Sequence, residues 1–187
     1  MATEDTSERK SALRQRVRTI AVAEGLPVHS SLAAELLRRE VTVVAGFIPL
    51  PDELDVLPLL RALQEAGITV LVPRIVGPNL EFAEFDEHAL APGHYGLLEP
   101  TGSHTRELNT CDAVLIPALA CDAGGGRLGR GAGFYDRALA QLATNIWRVG
   151  VVADERVLPA GEIPMAEHDV RVHAIATQLQ LVNCLPG

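Results

Sequence analysis

Apolar residues recur at helical spacing near the start of the chain. Leu13, Val17, Ile20 and Ala21 share one face of a helix predicted from Ser7 to about Glu24, with Ser7 as its cap and Gly25 and Pro27 as its end. Ser30 or Ser31 opens a second helix, Leu32 to Arg39, by the same logic. The pattern then changes: Val41 to Ile48 is β-branched and largely apolar, as expected of a strand covered on both faces. Pro49 and Pro51 stop it. Asp52 and Glu53 stand where a helix N-terminus favours carboxylates, which predicts a helix running to Ala66, with Pro58 as an irregularity and Gly67 as its terminal signal.

Ile68 to Val72 and Leu80 to Phe85 read as further strands, whereas Leu90 to Thr110 is rich in Pro, Gly and Thr and reads as loop. Ala113 to Ile116 is an apolar strand, and a glycine-rich run leads from it into a helix from Phe134 to about Ala143. Trp147 to Ala153 and Val170 to Thr177 complete the set. Strands alternating with helices imply an α/β fold, a three-layer sandwich with a mostly parallel sheet and helices on both faces. With no internal repeat and no linker, residues 1–187 are expected to form a single domain.

Composition narrows the partners. Sixteen basic against twenty-four acidic residues leave a formal charge of -8, the wrong sign for a protein whose whole surface embraces nucleic acid. An anionic ligand must therefore meet a local basic pocket. Lys10 is the only lysine; every other basic residue is an arginine. Cys111, Cys121 and Cys184 are widely spaced with no CxxC, which argues against a disulfide framework or a zinc knuckle and for a reducing cytoplasm. Met1 to Lys10 lacks the apolar stretch of a signal peptide. The longest apolar run, Ala113 to Cys121, contains Pro117 and is far short of the ~20 residues that span a membrane. The expectation is a cytoplasmic protein, without a nucleic-acid or membrane partner, existing as a monomer or weak homodimer.

In parallel sheets ligands bind beyond the carboxyl ends of strands, where the segment Ala118 to Gly133 follows its strand. Six glycines between Gly124 and Gly133 let backbone N–H groups approach a phosphate, the next helix adds its positive end, and Arg127 and Arg130 contribute two planar cations. Gly124, Gly126 and Gly129 also satisfy GxGxxG, while the GxxxxGK[ST] loop is absent. A dinucleotide site would want an acid about 20 residues further on, where Asp154 and Glu155 stand, so that reading stays open.

The longer string separates these readings. Ile116-Pro117-Ala118-Leu119-Ala120-Cys121-Asp122, followed by Gly126-Arg127-Leu128-Gly129-Arg130-Gly131-Ala132-Gly133-Phe134-Tyr135-Asp136-Arg137, closely resembles the signature of the 5-formyltetrahydrofolate cyclo-ligase family. Lys10 with Arg14, Ile48 to Glu53, Pro73-Arg74, Tyr95-Gly96, Glu99-Pro100 and His168-Asp169 fit the same family in the same order. Ala118 stands where the family commonly has Gly, Ala132 where Gly or Lys is usual, Phe134 where Tyr is usual, and His173 where a second acid often follows Asp169.

The resemblance implies ATP-dependent conversion of 5-formyltetrahydrofolate to 5,10-methenyltetrahydrofolate, with ATP and a reduced folate as partners and Mg2+ as cofactor. A noncatalytic nucleotide- or folate-binding relative is the alternative. Arg127 and Arg130 are implied as the catalytic cations. Lys10, Arg14, Arg127, Leu128, Gly129, Arg130, Gly131, Ala132, Gly133, Phe134 and Tyr135 are implied as ATP contacts. Ile48, Glu53 and the stretch Arg130, Gly131, Ala132, Gly133 and Phe134 are implied at the folate, and Asp136 and Asp169 at the metal. A carboxylate at Glu53 is a sensible acceptor for a pterin's amino and amide N–H groups. Lys10 and Arg14 lie one helical turn apart and can meet one phosphate chain.

Overall fold

A computed structural model describes residues 2–167 and 169–184, so His168 of the His168-Asp169 pair lies outside the described residues. The helices are α1 (Ala2–Arg18), α2 (Ser31–Arg38), α3 (Leu57–Glu65) and α4 (Phe134–Ala140). The first strands are β1 (Val43–Ala45), β2 (Thr69–Val76), β3 (Asn79–Glu84), β4 (Leu90–Pro92), β5 (Leu98–Pro100) and β6 (Thr105–Arg106). They are followed by β7 (Ala113–Pro117), β8 (Ala120–Asp122), β9 (Arg127–Leu128), β10 (Trp147–Val151), β11 (Val157–Leu158), β12 (Ala174–Ala176) and β13 (Leu181–Asn183).

The central sheet runs β13-β12-β10-β7-β1-β2-β3-β6. Its five inner strands are mutually parallel, and β13, β3 and β6 add antiparallel edges. Alternation along each inner strand supplies both layers of core. Ala113 and Leu115 of β7, Val70 and Val72 of β2, and Ala174 and Ala176 of β12 face the core completed by α2 and α3. Val114, Ile116, Leu71 and Ile175 face the other, completed by Leu139 of α4. Helices on both faces of a mostly parallel sheet match the three-layer expectation. A third apolar cluster joins Leu13 and Val17 of α1 to Leu119 and Leu128 around the small sheet β11-β8-β9.

Several boundaries differ from the expected ones. The first helix ends at Arg18, short of Glu24. The strand after Val41 keeps only Val43–Ala45, because Phe47 and Ile48 leave the sheet and pack against the α2/α3 core. The following helix begins at Leu57, and Pro58 occupies its first turn, where a missing N–H costs no hydrogen bond. Asp52 and Glu53 therefore do not cap that helix. The stretch Leu90 to Thr110 contains the β4–β5 hairpin and β6. Arg127 and Leu128, expected in a loop, form β9 opposite β8. The last expected strand shrinks to β12, and β13 was not foreseen. Among the described residues no helix is long and apolar enough to cross a membrane.

Leu60 of α3 is fully buried between the sheet and α2, and its methyl groups lie where a Cβ on Gly46 would sit. Leu60→Ala should lower stability by about 2–5 kcal/mol, seen as a lower urea midpoint with an unchanged slope.

Candidate active site

The sheet order reverses between β1 and β7. The chain goes from β1 outward to β2 on one side, then returns to place β7 on the other. The segments that leave the carboxyl ends of β1 and β7 consequently diverge and leave a crevice between them. The first brings Ile48, Leu50 and Glu53 to a cavity of about 290 Å³, and the second brings Pro117, Ala118 and the segment from Arg127 to Asp136. Pro73, Arg74 and the β4–β5 hairpin, including Tyr95 and Glu99, close the remaining side.

The turn between β8 and β9 is organised by a buried carboxylate. Asp122 Oδ1 accepts the N–H groups of Gly124 at 3.0 Å and Gly126 at 2.9 Å, and Oδ2 accepts that of Ile163 at 3.0 Å. A fully buried acid is thus satisfied by backbone donors, and the turn that aims β9 at the cavity is fixed. Arg127, only 4% exposed in its side chain, pairs through Nη2 with Asp136 Oδ1 at the start of α4. Among the described residues its Nε is buried without a partner, as is the hydroxyl of Tyr135. A Cβ on Gly129 would come within 2.8 Å of Arg127 Nη1, so glycine leaves the guanidinium its place. Gly133, at φ 72°, turns the chain into α4. That helix has seven residues and ends at Ala140, short of Ala143.

Arg130 reaches across the crevice. Its Nε donates to Glu53 Oε1 at 3.0 Å and its Nη2 to Asp52 Oδ1 at 2.5 Å. Burial pushes the Glu53 carboxyl above its ordinary pKa, against the downward pull of the Leu50 N–H and Arg130. Partial burial also pushes Asp52 upward, but the Arg130 hydrogen bond and charge outweigh it and hold that carboxyl below its ordinary value. Burial drives the Tyr135 phenol far up, so it is a hydrogen-bond donor at neutral pH.

The other expected residues lie behind this wall. Arg14 Nε donates to the Gly129 carbonyl at 2.9 Å, while Leu128 is buried in the core beneath. Lys10 is ion-paired with Asp169, whose Oδ2 also accepts the Ala166 N–H at 2.6 Å. Neither Lys10 nor Asp169 lines the cavity, whereas Asp136 does. Among the described residues no three His, Cys, Asp or Glu side chains form a metal-holding group. His173 stands just before β12, at the amino end of the parallel strands, where its Nδ1 accepts the Arg148 N–H at 3.1 Å. Burial, with Arg148 and Arg39 nearby, lowers its pKa. It belongs to the opposite edge from the cavity. Asp52, expected at a helix start, instead pairs with Arg130, and Asp122, which the sequence offers only as the end of a string, organises the β8–β9 turn. The acid before Glu53 and the acid closing the string Ile116 to Asp122 were the signals available.

A sequence model of the 5-formyltetrahydrofolate cyclo-ligase family matches residues 2–178. The chain belongs to that family. It is 33% identical to the 5-formyltetrahydrofolate cyclo-ligase of Mycolicibacterium smegmatis over 95% of both chains. With that of Escherichia coli K12 it shares 28% identity over 88% of this chain and 96% of the other. Its fold is similar to the solved 5,10-methenyltetrahydrofolate synthetase of Aquifex aeolicus, with a TM-score of 0.72 and 21% identity over 97% of this chain and 94% of that one. The strings Ile116 to Asp122 and Gly126 to Arg137, which resemble that family's signature, supply the cavity wall from Pro117 to Asp136.

Asp122→Ala would leave the buried N–H groups of Gly126 and Ile163 and the half-buried one of Gly124 without their acceptor. It should cost about 3 kcal/mol or more in urea unfolding and speed amide exchange at Gly124, Gly126 and Ile163.

Proposed function

We propose that this cyclo-ligase family member converts 5-formyltetrahydrofolate to 5,10-methenyltetrahydrofolate, consuming ATP and releasing ADP and phosphate. The observation that carries the reading is the contact between Arg130 and Glu53 across a single cavity. A phosphate-seeking cation and an acceptor suited to a pterin stand within hydrogen-bond reach of each other. A reaction that joins a nucleotide phosphate to a folate oxygen needs that closeness.

In this scheme the γ-phosphoryl group passes to the formyl oxygen as ADP leaves. The folate N10 then attacks the formyl carbon, and phosphate departs with the former formyl oxygen and the proton lost from N10. No protein nucleophile is required. Glu53 would hold the pterin through its N–H groups, with Ile48 providing apolar contact beside it. Arg127, Arg130 and the backbone N–H groups of the loop Gly129 to Gly133 would neutralise and align the phosphates. The unpartnered Arg127 Nε and Tyr135 hydroxyl are buried donors suited to the same oxygens. Arg14 would support the loop from behind by holding Gly129, and Lys10, fixed by Asp169, would stand beside it for the phosphate chain.

The donor set fits magnesium in its usual nucleotide setting, a hard cation on one or two carboxylates plus phosphate oxygens. Asp136, 36% exposed in its side chain and facing the cavity, keeps lone pairs beyond the one given to Arg127 and would be its principal protein ligand. When bound, magnesium supplies screening of phosphate charge. Asp169 would serve through Lys10.

The test is the appearance of methenyl absorbance from 5-formyltetrahydrofolate. Turnover should require ATP, and Arg130→Ala should reduce kcat by about 100-fold or more while the protein remains folded. Wild-type protein that binds both ligands without turnover would instead be a noncatalytic relative. Near wild-type kcat in a folded Arg130→Ala variant would overturn the assignment of Arg130.

A further inference from the structure

Asp52 and Glu53 occupy the cation that the proposed reaction needs for phosphate, and the two acids are unequal. Asp52 is 49% exposed in its side chain, so water can solvate it once Arg130 departs. Glu53 is 10% exposed. Its Oε2 has the Leu50 N–H at 3.0 Å, and its Oε1 has Arg130. A buried carboxylate that loses its cation is costly unless new donors take the cation's place. Arg130 is likewise the donor that a phosphate chain entering along Gly129 to Gly133 meets at the cavity wall. One guanidinium is therefore shared between a buried acceptor and the expected path of an anion.

Resting on the assignment of nucleotide and reduced folate to this cavity, we propose that Arg130 and Glu53 form an exchange pair coupling the two substrates. A nucleotide phosphate draws Arg130 away from Glu53, and the pterin's amino and amide N–H groups satisfy the freed carboxylate. Nucleotide alone must leave Glu53 without a cation. Folate alone must compete with Arg130 for Glu53. Together, each ligand removes the cost of binding the other, and by linkage the gain in affinity is the same in both directions. Asp52 holds Arg130 between turnovers but contributes little to the coupling, because its released carboxylate returns to water.

The experiment measures the affinity of the magnesium complex of β,γ-imido-ATP by calorimetry, with and without saturating 5-formyltetrahydrofolate. Wild-type protein should bind the nucleotide about tenfold more tightly when folate is present. Glu53→Gln, which has no charge to leave buried, should bind nucleotide alone more tightly than wild type and show a coupling factor near one. Asp52→Asn removes the same charge from the same arginine and should keep the coupling. Arg130→Gln provides a second route should Glu53→Gln fail to fold or to bind folate: its folate affinity should not respond to nucleotide. Independent binding in the wild type, coupling that survives Glu53→Gln or Arg130→Gln, or equal collapse in Asp52→Asn would each overturn the exchange. A wild-type protein that binds neither ligand would overturn the functional reading beneath it, a result distinct from two ligands that bind independently.

Discussion

Everything chemical in this molecule depends on the divergence of the chain at the carboxyl ends of β1 and β7. Two neighbouring parallel strands whose continuations turn to opposite sides cannot cover the gap between their ends. What fills that gap is decided by short segments, Gly46 to Glu53 on one side and Ala118 to Asp136 on the other. The apolar layers on both sheet faces hold the strands in register and leave these segments free to carry polar groups. The cyclo-ligase signature falls in one of them, and the acid expected to meet the folate falls in the other.

Within the gap, buried charge is handled in three ways. Asp122 is satisfied entirely by backbone N–H groups and serves architecture. Arg127 is buried against Asp136, but among the described residues its Nε has no partner, so its neutralisation leaves hydrogen-bonding capacity for a ligand. Arg130 is held by two acids from the opposite wall. Exposure rises along that order, from the β8–β9 turn out to the crevice.

Much of this was legible in the residues. Apolar strands alternating with helices, and the glycine-rich run, were enough for a mostly parallel α/β sheet with a ligand loop expected at its edge. Local pattern failed where tertiary contact decides. Val41 to Ile48 reads as one apolar stretch, but Phe47 and Ile48 are apolar because they pack beyond the sheet edge. Pro58 reads as a defect in a helix from Asp52, yet it is a first-turn proline of a helix from Leu57, and this frees Glu53 for the cavity. The strands of the β4–β5 hairpin have three residues each and carry no period long enough to recognise. The same limit hid the contact of Arg130 with Asp52 and Glu53, which spans more than seventy residues of chain. The Lys10 to Asp169 pair joins opposite ends of the sequence and sets a residue expected at the metal against one expected at the phosphate chain.

In the proposed reaction one cavity brings the γ-phosphate directly against the formyl oxygen. This is tested most directly by turning over 5-formyltetrahydrofolate labelled with 18O in the formyl group, using unlabelled ATP and water, and analysing the released phosphate by mass spectrometry. Direct transfer predicts that the label leaves in the phosphate, one atom for each methenyl group formed. Unlabelled phosphate accompanying methenyl formation would show that ATP is hydrolysed apart from the formyl oxygen, and would rule out direct transfer.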